Sequence, residues 1–127
     1  MRPLLFAIVL GLMAPAANAA PDSRPNDCFA LSQWRGWSAP GDGDVLYLRV
    51  GINDVYRVEL TPGTHVHRYG DRFLVNQARG SDWVCHPIDL NLTLNDPYGF
   101  HQPVIAQSLH KLTPAEVEAI PAHDRPN

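Results

Sequence analysis

No apolar run in this sequence is long enough to cross a bilayer as a helix, which takes roughly 20 residues. The longest, residues 4–13 (LLFAIVLGLM), falls well short. Lysine is nearly missing, with Lys111 alone among ten basic residues, and thirteen acidic residues bring the net charge to −3. A nucleic-acid footprint is basic and an electrostatic grip on a membrane needs clustered Lys and Arg, so neither partner is expected. Cysteine is confined to Cys28 and Cys85, with no C-x-x-C spacing, which argues against a redox pair. Catalytic signatures are missing too: there is no G-x-S-x-G elbow, no H-E-x-x-H and no phosphate-binding glycine loop.

What is present begins with a targeting pattern. Arg2 precedes the apolar run, and Ala17-Asn18-Ala19 supplies the small-x-small site of a signal peptidase, so residues 1–19 read as a signal peptide. No cysteine follows closely enough for a lipoprotein cut. Cleavage after Ala19 leaves nine basic residues against thirteen acidic ones, about −4, on a chain of one-domain size. Residues 20–26 read as a flexible leader, 27–120 as one β-rich domain and 121–127 as a loose tail. An even cysteine count in an exported chain favours a structural Cys28–Cys85 disulfide. Closing a loop of that length stabilises a fold by roughly 4 kcal/mol.

The central stretch is residues 44–60 (DVLYLRVGINDVYRVEL), a β-hairpin. Leu46, Leu48 and Val50 alternate with Val45, Tyr47 and Arg49; Tyr56, Val58 and Leu60 alternate with Val55, Arg57 and Glu59. Opposite residues share a face, so the apolar sets pair only across an odd-numbered loop. A three-residue loop, Gly51-Ile52-Asn53, sets Val50 against Asp54, Leu48 against Tyr56 and Leu46 against Val58. It also places Tyr47 opposite Arg57, a favourable cation–aromatic pair, whereas a five-residue loop would oppose Arg49 and Arg57. Asn53 suits the left-handed position of such a loop.

Around the hairpin, residues 27–39 read as an irregular strand with Gly36 at a bulge or close approach, and Pro40-Gly41-Asp42-Gly43 is a turn. Short extended runs follow at residues 65–69, 72–77 and from Trp83. Ile88, Leu90, Leu92 and Leu94 alternate with polar residues as the second-best strand. Residues 104–112 fit either strand or helix. Thr113-Pro114-Ala115-Glu116 is a capping box opening a short helix that Pro121 stops. The expected fold is therefore all-β: mostly antiparallel, six or seven short strands in a small barrel or two-layer sheet, with one short C-terminal helix.

Asp27-Cys28-Phe29, residues 46–50 (LYLRV), residues 55–60 (VYRVEL), Trp83-Val84-Cys85 and residues 111–116 (KLTPAE) occur in that order. Together they resemble a family of small exported bacterial proteins of unknown function, over nearly all of the mature chain. The resemblance implies a shared fold and an envelope location, periplasmic or secreted, and brings no catalytic residues. Members often carry two further cysteines, one after the hairpin and one before the Leu-Thr-Pro segment. Here the matching stretches, residues 61–67 and 101–104, have none.

Three chemistries are worth weighing. His65 and His67 share a face if extended and could reach one metal, with His86 or His101 as further ligands, but two histidines without a third ligand fall short of a site. Gly41-Asp42-Gly43-Asp44 lacks the remaining ligands of a calcium loop and reads as a turn. A small hydrolase could arise by spatial clustering, for instance of His86 with Asp89, although no activated nucleophile is visible. Among the aromatics, Trp83 is expected in the core beside Cys85, while Trp34 and Trp37 should point to opposite faces and mark a contact surface. The leading expectation is a non-catalytic binding or accessory protein that meets another envelope protein, without catalytic residues or cofactor. A metal-binding protein using His65 and His67 is the alternative, and a small hydrolase the third.

Overall fold

The structure, a computed structural model, describes residues 27–127. The expected signal peptide and leader, residues 1–26, lie outside the described residues. In chain order the elements are β1 (Phe29–Ala30), a 3-10 turn (Leu31–Gln33), β2 (Trp34–Ser38), β3 (Val45–Val50), β4 (Asp54–Leu60), β5 (Phe73–Asn76) and β6 (Trp83–Val84). A second 3-10 turn (Pro87–Asp89), β7 (Leu92–Asn95), β8 (His101–Val104), β9 (Ala106–Lys111), α1 (Pro114–Ala119) and a last 3-10 turn (Ala122–Asp124) complete it. All pairings are antiparallel: β2-β3-β4-β9, β5-β7-β8, and the small pair β1-β6. The fold is all-β with one short C-terminal helix. The described residues hold more strands than expected because β1 and β6 are two-residue pieces, and because Ile105 breaks one long strand into β8 and β9.

The hairpin register is the one its alternation predicts: Val50 opposes Asp54, Leu48 Tyr56, Tyr47 Arg57 and Leu46 Val58. The left-handed residue of its loop is Gly51 (φ +61), not Asn53, since glycine adopts that conformation without a Cβ clash. The inward set meets Leu74, Leu92, Leu94 and Val104 of the three-stranded sheet in one core. The outer face is covered as well. Thr113 Oγ1 accepts from the Glu116 backbone N–H, and Glu116 Oε1 from that of Thr113. The helix so capped brings Val117 and Ile120 onto Tyr47, Val55 and Leu112.

Two local features redirect side chains. Between Trp34 and Gly36 the β2–β3 register shifts by one residue, so Trp34 opposes Val50 and Trp37 opposes Leu48. Both partners point inward, so this bulge puts the two indoles on the same side, half-buried against the core. The expectation of opposite faces fails for that reason. Residues 121–127, expected to be loose, are held by specific contacts. Ser38 Oγ donates to the Asp124 carbonyl (2.5 Å), Arg125 Nε to that of Ile120 (3.0 Å), and Pro126 is buried. A β-carbon at Gly36 would overlap the Asn127 backbone oxygen, so Gly36 serves both bulge and close approach.

Tyr56 sits in the core with its ring 4.7 Å from that of Phe29. Burial, with the charges of Asp54 and Asp27, pushes its phenol up to about 12. An acid raised above its unfolded value adds stability below pH 10 that is lost as pH climbs toward 12. Ultraviolet titration is expected to show one tyrosine ionising about two pH units after a free phenol, together with unfolding. A Tyr56→Phe variant should lose that late transition.

Candidate functional site

The disulfide Cys28–Cys85 fixes one wall of the site, and β1 pairs with β6 beside it through Phe29–Val84 and Ala30–Trp83. Leu31 N–H donates to the Asp82 carbonyl (2.7 Å) just beyond. After Cys85 the chain curls instead of extending. Asp89 Oδ2 accepts from the backbone N–H groups of Cys85 and His86, 2.9 Å each, and Pro87 opens the turn. These two N–H groups, the Cys85 bond foremost, hold the Asp89 carboxyl below its ordinary range. The curl corrects the strand expected from residue 88 onward. It throws Ile88 into solvent (79% exposed), while Leu90 turns inward and the ladder starts only at Leu92.

The facing wall is the bend between β8 and β9. Ile105, at the bend, gives its carbonyl to Thr61 N–H (3.0 Å) and leaves its side chain 57% exposed. Between the walls lies a cavity of about 670 Å³ lined by Pro87, Ile88, Leu90, Leu92, Pro103, Val104, Ile105 and Ala106, with Arg79, His86 and Asn91 as its polar members. Arg79 Nη2 donates to Asn91 Oδ1 (2.8 Å). A second hollow of about 180 Å³ shares Arg79 and Ile88 and adds Ser81, Trp83 and Asp89. Ile88 and Arg79 line both hollows, so the exposed Trp83 and Ile105 lie on either side of Ile88.

Trp83, which the sequence places in the core, is 57% exposed. In a two-residue strand only one side chain can face inward, and Val84, opposite the buried Phe29, takes that place. The exposed indole is therefore at Trp83, while Trp34 and Trp37 lie half-buried against the core. The groove was hidden from pattern reading because perfect alternation at 88–94 masks the turn chemistry of His86-Pro87-Ile88-Asp89, a proline at the first turn position with an aspartate two residues on.

His65 and His67 do share a face of an extended segment that forms no ladder, with Val66 between them fully buried. Their rings lie nearly parallel (16°) with centroids 6.4 Å apart. Two imidazoles on one tetrahedral zinc have centroids about 5 Å apart, so these would have to tip together. No cluster of three His, Cys, Asp or Glu fit to hold a metal forms among the described residues. His86 and His101 are engaged elsewhere, His86 Nδ1 lying 3.7 Å from Asp89 Oδ2 and His101 Nδ1 2.8 Å from Asn95 Oδ1. The His86–Asp89 pair orients an imidazole, but Ser81 Oγ accepts from Trp83 N–H (3.2 Å) rather than meeting it. Residues 41–44 form the turn expected of them, with Gly43 N–H on the Pro40 carbonyl (3.3 Å). In comparisons with known proteins, no family model, curated protein or solved structure matches the chain.

Proposed function

We propose that this chain is a non-catalytic binding domain of the cell envelope, periplasmic or secreted, which engages another envelope protein through the groove between the Pro87–Asp89 turn and the bend at Ile105. The observation that carries it is the union of a 670 Å³ apolar cavity with the exposed Trp83, Ile88 and Ile105. An apolar hollow flanked by an exposed aromatic and exposed aliphatic side chains, with a few polar groups, has the composition of an interface core. Both walls are braced, one by the disulfide and the Asp89 turn, the other by the flanking strands β8 and β9, and such preorganisation lowers the ordering cost of binding. The disulfide supports an oxidising compartment, and no described helix is long and apolar enough to cross a membrane. The envelope placement also draws on the family resemblance. The two stretches that lack its second cysteine pair run side by side here, with Gln102 Nε2 donating to the His65 carbonyl (2.8 Å).

An Ile88→Asp, Ile105→Glu double variant tests the reading. Both side chains are largely solvated, so the thermal midpoint should stay within about 2 °C of the parent. In size-exclusion chromatography of envelope extracts the parent should migrate with one stoichiometric partner and the variant as the free domain. Co-migration of the variant with the same partner would place the contact surface elsewhere.

A further inference from the structure

A second surface, sharing no lining residue with the groove, gathers ring and guanidinium groups along residues 65–72. His65, His67 and Tyr69 project on one side of the extended segment, with His67 and Tyr69 ring centroids 5.5 Å apart. Gly70 turns the chain (φ +53), and Arg72 N–H donates to the Tyr69 carbonyl (3.1 Å). That turn lays the Arg72 guanidinium over Tyr69 (5.5 Å) and Phe100 (4.1 Å). On the opposite parity Arg68 lies over Trp37 (5.3 Å). Arg57, Lys111, His86, His110 and His123 each sit against a carboxylate. Among the described residues His65, His67, Arg68 and Arg72 form no such pair, a property they share with Arg35, Arg49, Arg79, Arg125 and His101; His65 Nδ1 lies 3.2 Å from the Asp42 carbonyl and Arg68 Nη1 donates to that of Trp37 (3.4 Å). An arginine stacked on aromatic rings keeps its N–H edge free for a carboxylate or phosphate. The row is anchored: Val66 is buried, its N–H donates to the Gly43 carbonyl (2.7 Å), and Gln102 holds the His65 carbonyl. Asp44 and Glu59, across a hollow of about 330 Å³ from His65, bound it at one end, and Asp71 is the one carboxylate within it.

We propose that this row binds an anionic polysaccharide, with sugar carboxylates on Arg72 and the imidazole edges and a sugar ring against the exposed face of Tyr69. Side chains two residues apart on extended backbone recur every ~7 Å, a linear array suited to a linear, repeating ligand. The test titrates the mature protein with oligogalacturonate, uncharged dextran, and phosphatidylglycerol vesicles. Oligogalacturonate should bind with an affinity that falls on raising salt from 50 to 300 mM, and dextran should not bind. Arg72→Gln, and separately His65→Ala with His67→Ala, should each weaken oligogalacturonate binding at least tenfold with unchanged near-ultraviolet circular dichroism. Equal binding of dextran, parent-like affinity of Arg72→Gln, or capture by vesicles without oligogalacturonate binding would each overturn the assignment.

Discussion

The Cys28→Ser, Cys85→Ser double variant is expected to unfold in urea with about 4 kcal/mol less stability than the oxidised parent. The bridge spans a sequence separation of 57, and removing a cross-link of that span restores the corresponding freedom to the unfolded chain. A stability of 5–15 kcal/mol is usual for a domain, so the loss is a large share of the total. The folded state gives the loss a location. β1 and β6 share only two residue pairs, too few to hold the 82–90 segment on the core without the bridge. Amide exchange should therefore accelerate first over residues 82–90, the wall of the groove, and last over β3 and β4. A loss below about 1 kcal/mol would mean that the unfolded chain is already constrained or that the bridge distorts the native state.

Gly43→Ala is the second severe change. Gly43 holds φ +77, and a β-carbon there would run into the backbone of Val66. The left-handed conformation alone costs a non-glycine residue roughly 1–2 kcal/mol. Displacing Val66 would add the loss of its bond to the Gly43 carbonyl and of a fully buried side chain. A total of about 3 kcal/mol or more is expected. Gly41→Ala is the matched control, with φ +61 and open space around it; it should cost about 1 kcal/mol. The difference between the two urea midpoints isolates the close packing. Equal midpoints would mean that strain, not contact, decides both sites.

Much of the fold is legible in residues 44–60, because there a single constraint suffices: parity and charge pairing leave one register. The capping box is equally local, since Thr113 and Glu116 satisfy each other. Elsewhere the pattern misleads where one residue changes parity. The bulge at Arg35 turns Trp34 and Trp37 to the same side, and the Asp89 turn converts a perfect alternation into an exposed Ile88. Tail order is long-range: Ser38 reaches Asp124 across 86 residues, a contact with no local signal. The groove is illegible for the same reason, since its two walls, the Pro87–Asp89 turn and the start of β9, are far apart in sequence and pack together only in the fold. The histidine pair was visible, but the facing arrangement of its rings depends on side-chain rotamers.

The most direct test of the groove is a photo-crosslinking scan in cells. A photoreactive residue is placed at Ile88, Ile105, Trp37 or Ile52, the last 87% exposed on the hairpin loop. One discrete adduct, of the same partner, is expected from Ile88 and Ile105 and none from Ile52 or Trp37. An adduct centred on Trp37, with Ile88 and Ile105 silent, would contradict it and move the contact surface to β2.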